Sequence, residues 1–307
     1  MRHKLKLFLD YLAYLVVRLL ICIVQSLRLE TCATLARGLA TLCNDVLRVR
    51  AKVVDENLRL AFPELSDAER RRLSWRMWEH LFLMISEIAL ASRKIHDTNW
   101  RQYIRIRNKR ELMRTLFARH PNVVVSAHFG NFELAGYTLG LFGFGTYSVA
   151  RPLDNPFLDR YVHDFRTATG EHILPKNGSS ADIATLLANG GTLSVLADQH
   201  AGPKGCWVNF FGRPASTHKA IALFSLSNDA PIMIGFGRRA GGPLQLEMGL
   251  AALLDPRDLA PDQRGVTELT QWYTSQFETL IRRDPHQYWW VHRRWKDAPP
   301  KRGAKAA

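Results

Sequence analysis

Val123-Val124-Val125-Ser126-Ala127-His128-Phe129-Gly130-Asn131-Phe132-Glu133 is the most informative stretch of the chain. Its valines form a short apolar run of the kind a buried strand shows. Gly130 permits a tight turn, and Asn131 is a residue type that caps helices. The stretch therefore reads as strand, turn, helix, and the same alternation repeats on the C-terminal side. Strands are expected at 123–127, 146–150, 192–197, 231–236 and 244–248, and helices near 131–142, 156–169, 179–189, 216–228 and 266–283. Strands alternating with helices give an α/β fold, a mixed sheet flanked by helices.

The 307 residues are 47% hydrophobic and 23% charged, which excludes a disordered chain, a coiled coil and a multi-pass membrane protein. That length suits one large or two modest domains. Lys and Arg number 42 against 28 Asp and Glu, a net charge of +14. So basic a chain points to anionic partners: a phosphate-bearing substrate, an acidic protein, a membrane surface or nucleic acid. The charge is spread along the chain, with no basic recognition helix or aromatic-basic single-strand platform, so nucleic acid is not expected. Cys22, Cys32, Cys43 and Cys206 show no framework spacing and suit a reducing compartment.

Residues 1–28 are expected to form an uncleaved membrane anchor. Tyr11 to Leu27 is apolar apart from Arg18, Gln25 and Ser26, but it is short for a span of about 20 residues, and Arg18 and Asp10 oppose one. The helix either spans or lies in the interface, a buried core helix being the alternative. Residues 29–119 read as mainly helical. Ser66 and Glu69 form a capping-box pattern ahead of the helical stripe Leu73, Met77, Leu81, Met84 and Ile88. Residues 120–297 carry the α/β core, and 298–307 read as a basic disordered tail. The segment from His200 to Pro214 reads as a long loop whose Phe210 and Phe211 pack at a pocket rim, or simply on the surface. The cluster Tyr288, Trp289, Trp290, His292, Arg293, Arg294 and Trp295 fits headgroup depth, or a last packing segment beside the sheet.

His128 on the turn and Glu133 in the first helical turn can fold back on one another. Such a pair suits a general base, because a carboxylate fixes the imidazole tautomer and stabilises the imidazolium. The plainer reading, a core histidine and a glutamate favoured by the helix dipole, stays open on spacing alone. His128, Arg151 and Asp198 each follow an expected strand, and ligands bind at the carboxyl ends of strands in open α/β sheets. Arg166 on the next helix could face the same crevice, and two guanidinium groups there suit phosphate or carboxylate. Backbone N–H groups near Gly130 and Asn131 are expected to stabilise an oxyanion. No G-x-S-x-G elbow, H-E-x-x-H, dinucleotide or Walker loop occurs, and Asp198, His200 and His218 make only a thin metal case, so neither a cofactor nor a metal is called for. The missing nucleophile favours direct transfer between two bound substrates.

These residues resemble the bacterial lipid A biosynthesis acyltransferases, the late lauroyl/myristoyl enzymes. The matching stretches are Asn57-Leu58-Arg59-Leu60-Ala61-Phe62-Pro63-Glu64, then His128-Phe129-Gly130-Asn131-Phe132-Glu133, then Arg151 through Asp159, Arg166 with Gly170, Asp198-Gln199, Phe210 through Ala215, and Pro285 through Lys296. The resemblance implies a glycerolipid-acyltransferase-like fold behind an N-terminal anchor. It also implies transfer of a fatty acyl chain from acyl carrier protein or acyl-CoA to a hydroxyl of a phosphorylated glycolipid, the lipid A precursor. By the same resemblance His128 and Glu133 are the catalytic pair, Arg151, Arg166, Asp198 and Gln199 bind substrate, and the enzyme works on the anionic cytoplasmic side of the inner membrane; Gly130 and Asn131 join the substrate-binding set through their backbone N–H groups. Phe132 stands where the family usually has Trp, and His200 where an acidic residue is common. Another glycolipid or phospholipid acceptor is the alternative, and a noncatalytic basic membrane-surface protein the second.

Overall fold

In the computed structural model, which describes residues 2–118, 120–176 and 178–299, the valine run lies at the centre of a seven-stranded sheet. The strands are β1 (Ile104–Arg107), β2 (Asn122–Ser126), β3 (Thr146–Ala150), β4 (Glu171–Pro175), β5 (Thr192–Leu196), β6 (Cys206–Phe210), β7 (Arg213–Thr217), β8 (Ile232–Arg239) and β9 (Leu246–Leu254). The sheet runs β1-β9-β8-β2-β5-β3-β4, and β6 with β7 forms a separate hairpin. All neighbours in the sheet are parallel except β8 and β9, so it is mixed, as expected. The helices are α1 (Arg2–Ser26), α2 (Leu29–Thr41), α3 (Ala51–Ala61), α4 (Asp67–Lys94), α5 (Lys109–Phe117), α6 (Phe132–Leu141), α7 (Pro156–Thr167), α8 (Ser180–Ala188), α9 (Ala220–Ser227) and α10 (Val266–Arg283).

Successive residues of β2 point to opposite faces. Val123, Val125 and Ala127 join the main core with Leu58 of α3, Met77 of α4, Leu187 of α8, Ile221 of α9 and Tyr273 of α10. Val124 packs on the other face with Leu112 of α5, Met233 and Leu250. Burial on both faces explains why the run is continuously apolar rather than alternating.

The long helix α4 begins where the capping box requires. The Ser66 side chain accepts from the Glu69 N–H at 3.3 Å, and the Glu69 carboxylate accepts from the Ser66 N–H at 2.8 Å. Its stripe Leu73, Met77, Leu81 and Met84 is buried. Farther along, α4 is pinned to the sheet by charge. Glu87, fully buried, takes two bonds from Arg239 at the end of β8, at 2.7 and 2.8 Å, and further bonds from Asn131 Nδ2 and the Leu244 N–H.

Three expectations need correction. The helical reading of 29–119 missed β1, a four-residue edge strand too short to show a period. The expected long loop at 200–214 contains β6 and the start of β7, whose register runs from Cys206 opposite Thr217 to Phe210 opposite Arg213. β4 was also missed, because Glu171 and His172 break its apolar run. From residue 300 on, the expected tail lies outside the described residues. Replacing Glu87 by Ala strands Arg239 as a buried cation, so this variant should lose about 3–5 kcal/mol of stability in denaturant titration. A loss below about 1 kcal/mol would show that the pair does not hold α4 to the sheet.

Candidate active site

Strand register brings the first two site residues together. Ser126 pairs with Leu196 across β2 and β5, and two residues beyond the pairing stand His128 and Asp198. His128 Nδ1 lies 2.8 Å from Asp198 Oδ1, with the carboxylate side chain 2% exposed. Burial alone opposes charge on both groups, but the carboxylate outweighs it at His128 and raises the imidazole above its usual 6.5. Burial likewise opposes the charge on Asp198, yet the imidazole and nearby backbone N–H groups hold the carboxyl below its usual 3.8. The expected partner, Glu133, is engaged elsewhere: it accepts two bonds from Arg166, one from Nε at 3.0 Å. Glu133 contributes to His128 only as a nearby charge. Asp198, expected to bind substrate, instead takes the histidine-orienting place expected of Glu133.

Gly130 and Asn131 stand behind the site and do not line it. Gly130 has φ +62°, and a Cβ there would sit 1.9 Å from the Gly237 carbonyl oxygen. Its N–H donates to the Gln287 carbonyl at 2.8 Å, and the Asn131 N–H donates to Gly237 at 2.6 Å. Both expected oxyanion donors are therefore committed. The Asn131 side chain, fully buried, caps α6 by accepting from the Leu134 N–H and donates to Glu87. His80 completes the support. Burial and the adjacent Arg239 hold it well below the usual value, so it stays neutral. Its Nδ1 accepts from Arg239 at 2.8 Å, and its Nε2–H donates to the Gly130 carbonyl at 3.2 Å.

In front of His128, Gln199 Nε2 lies 3.4 Å from His128 Nε2 and 3.3 Å from His292 Nε2. Rings of Phe132, Trp289 and His292 surround the imidazole at centroid distances of 5.1, 5.2 and 5.6 Å. Trp289 and His292, read before only as part of an aromatic-basic cluster, are thus neighbours of the histidine. No local spacing signals this, because they arrive from the far end of the chain. A buried cation, Arg294, donates to the Ser216 carbonyl at 2.7 Å and lies near Asp198.

A cavity of about 760 Å³ opens at His128. One wall carries Glu133, Arg166, Glu171 and Ser148. Ser148 donates to the Glu171 carboxyl, which burial pushes up. Between the sheet and helices α5 and α6 the lining is apolar, with Leu112, Leu116, Leu139, Phe142, Met233 and Leu250. Arg151 stands at the mouth, largely exposed and paired with Asp154 at 3.1 Å. The arrangement offers an oriented imidazole with Nε2 toward the cavity, an amide donor beside it, and room for a long apolar group.

The family model described as bacterial lipid A biosynthesis acyltransferase matches residues 1–297. The chain is 26% identical to the lipid A biosynthesis lauroyltransferase of Escherichia coli (strain K12) over 271 residues, 85% of this chain and 84% of that one. It is 24% identical to the lipid A biosynthesis palmitoleoyltransferase of the same organism over 270 residues, 86% and 85% of the two chains. The crystal structure of the 1-acyl-sn-glycerophosphate acyltransferase PlsC from Thermotoga maritima aligns with TM-score 0.38 and 11% identity over 82% of this chain and 97% of that one. The chain belongs to the bacterial lipid A biosynthesis acyltransferases.

Proposed function

We propose that this acyltransferase moves a fatty acyl chain from a thioester donor, acyl carrier protein or acyl-CoA, to a hydroxyl of a phosphorylated lipid A precursor, with His128 as general base. The observation that carries the proposal is the His128–Asp198 contact at the cavity. With Nδ1–H donated to Asp198, the lone pair sits on Nε2, which faces Gln199. The acceptor hydroxyl gives its proton to Nε2 as its oxygen attacks the thioester carbonyl. The tetrahedral intermediate then collapses, and the imidazolium returns the proton to the leaving thiolate. No acyl-enzyme forms. Gln199, with its amide beside the reacting nitrogen, is the donor for the oxyanion, in the role first expected of the Gly130 and Asn131 backbone.

Glu133 acts through Arg166. Its carboxylate holds the guanidinium in the cavity wall, where Arg166 and the mouth residue Arg151 meet the phosphates of the acceptor or of the donor's prosthetic group. The apolar lining between the sheet and helices α5 and α6 takes the acyl chain, and the cavity volume lies within the usual range of about 300–1,000 Å³ for ligand sites. The shared names of the curated relatives, lipid A lauroyl- and palmitoleoyltransferase, support the acceptor class. A basic chain of net charge +14 suits a phosphorylated glycolipid, an acidic carrier protein and the anionic cytoplasmic face of an inner membrane.

The test is acyl transfer from labelled acyl carrier protein to a tetra-acylated lipid A precursor in detergent. His128→Ala should abolish it, and Asp198→Asn should lower kcat by about 10²–10⁴-fold. Glu133→Gln should raise KM more than it lowers kcat. Near-normal turnover in His128→Ala would remove the histidine from the mechanism. Transfer only to another glycolipid or a phospholipid would keep the mechanism and change the acceptor.

The acid limb of the pH–rate profile follows from the same pair. A base must be neutral, so activity should fall as pH drops through an apparent pKa above 6.5. In Asp198→Asn burial acts unopposed by that carboxylate, and the limb should move to lower pH. The pair's contribution to stability is fully present from above the ordinary Asp value up to the ordinary His value. It fades as pH falls through the lowered carboxyl pKa or rises through the raised imidazole pKa. An acid limb unmoved by Asp198→Asn would separate the titrating group from His128.

A further inference from the structure

Helix α1 is docked against the body of the protein along most of its length. The Asp10 carbonyl accepts from Asn155 Nδ2 at 2.7 Å, and the rings of Tyr11 and Tyr14 meet Phe157 at 5.1 and 6.1 Å. The Arg18 guanidinium lies 4.7 Å over the Tyr161 ring, and Gln25 Nε2 donates to the Ala89 carbonyl at 2.7 Å. Asn155 caps α7, Phe157 and Tyr161 lie on it, and Ala89 lies on α4.

By length and composition Lys4–Ser26 could cross a membrane, but this docking opposes a span. At about 1.5 Å per residue, the stretch from Asp10 to Gln25 occupies roughly 22 Å of a hydrocarbon core about 30 Å thick. The residues before Asp10 add only about 12 Å. A spanning α1 would drag α7 into the hydrocarbon with its exposed Arg160, His163 and Asp164. Charges there cost about 2.5–3.5 kcal/mol each even on insertion scales.

The face of α1 turned away from α7 is a single apolar stripe. Leu5, Leu9, Leu12, Val16, Leu19 and Ile23 recur at spacings of four and three, and each is between 41% and 61% exposed. The exposed leucines continue beyond α1, with Leu35 and Leu39 on α2 and Leu42 just after it. Charge says what covers this face. Residues 1–52 hold nine Lys and Arg against three Asp and Glu. A second copy would set like charges together, whereas an anionic leaflet satisfies the stripe and the cations at once.

We infer that α1 lies in the plane of one anionic leaflet, stripe down, and does not cross the membrane. The other face of α7 lines the cavity with Asp159, Val162 and Arg166, and the cavity-mouth residues Arg151 to Leu153 lead directly into the Asn155 cap that α1 holds. The cavity is thus one helix diameter, about 10 Å, from the lipid-facing helix. On the acyltransferase reading proposed above, on which this last step rests, the acceptor enters the mouth sideways from that same leaflet.

The test adds the full-length protein, carrying a short epitope tag at each end, to sealed vesicles of phosphatidylglycerol and phosphatidylcholine. Protease outside should remove both tags, since both ends lie on one side. Protection of the N-terminal tag alone would overturn the inference. The double variant Leu12→Glu/Leu19→Glu should float with anionic vesicles about tenfold less than wild type, with an unchanged circular dichroism spectrum, and wild type should float less with pure phosphatidylcholine. Undiminished flotation, or a dimer in detergent that the double variant splits, would assign the stripe to another partner. The variant should also lose transfer to acceptor embedded in vesicles while keeping it on detergent-dispersed acceptor. Equal loss on both would refute sideways entry. The tag and flotation results stand whatever the acceptor proves to be.

Discussion

The parallel pairing of β2 with β5, which sets Ser126 beside Leu196, is the constraint on which the site depends. Two residues farther, the same register sets an imidazole against a buried carboxylate. A one-residue slip would turn every side chain of β2 to the opposite face. It would drive Ser126 into the core now filled by Val123, Val125 and Ala127, and would part His128 from Asp198. The register is therefore enforced by hydrophobic burial on both faces, far more strongly than by the histidine–aspartate contact itself. The proposed base draws on a geometry that packing has already fixed.

A second constraint acts just beyond the strand. The turn at Gly130 runs so close to Gly237 that no side chain fits, and each of its polar groups has a partner. Glu87 reaches the same turn through Asn131 and, with Arg239, ties it to α4 and β8. His80 touches both Arg239 and the Gly130 carbonyl. A buried glutamate, a buried arginine and a neutral histidine are costly unless every valence is met, as they are here. The benefit is a histidine whose backbone cannot drift, which is what a base needs if its nitrogen is to meet a hydroxyl within hydrogen-bond reach.

Much of this was legible in the sequence, and the reasons differ by residue. The valine run, the Ser66–Glu69 cap and the Asn131 cap are local signals, and each is found where expected. The placing of His128, Arg151 and Asp198 after strands was also readable, because the carboxyl ends of neighbouring parallel strands converge. Which acid serves the histidine was not. His128 and Glu133 are near in sequence, but the first turn of α6 aims Glu133 at Arg166, while Asp198 comes from 70 residues away through strand pairing. Register is a property of two strands and leaves no mark in either alone. β1, β4 and the β6–β7 hairpin escaped for a different reason: polar residues break the short apolar runs that mark β2, β3 and β5.

The aromatic-basic C-terminal segment was read as lying at headgroup depth or packing beside the sheet, and packing wins with an addition. Trp290 is 1% exposed. Gln287 accepts from the Gly130 N–H through its carbonyl, and its side chain clamps both backbone groups of Arg239 at 2.8 and 2.9 Å. The Trp289 N–H donates to the His128 carbonyl at 3.1 Å, and Asn57 Nδ2 donates to the carbonyls of Trp290 and His292 at 2.7 and 2.6 Å. The segment thus closes the turn at Gly130 from a sequence distance of more than 150 residues, and Asn57 holds it from 233 residues away. Contacts this remote repay their loop-closure entropy only once the intervening sheet exists. The fold can therefore form its strands and helices by local rules, but the histidine acquires its Trp289 and His292 neighbours only when the last segment docks. The geometry around His128 thus depends on contacts that span most of the chain, from Asn57 to His292.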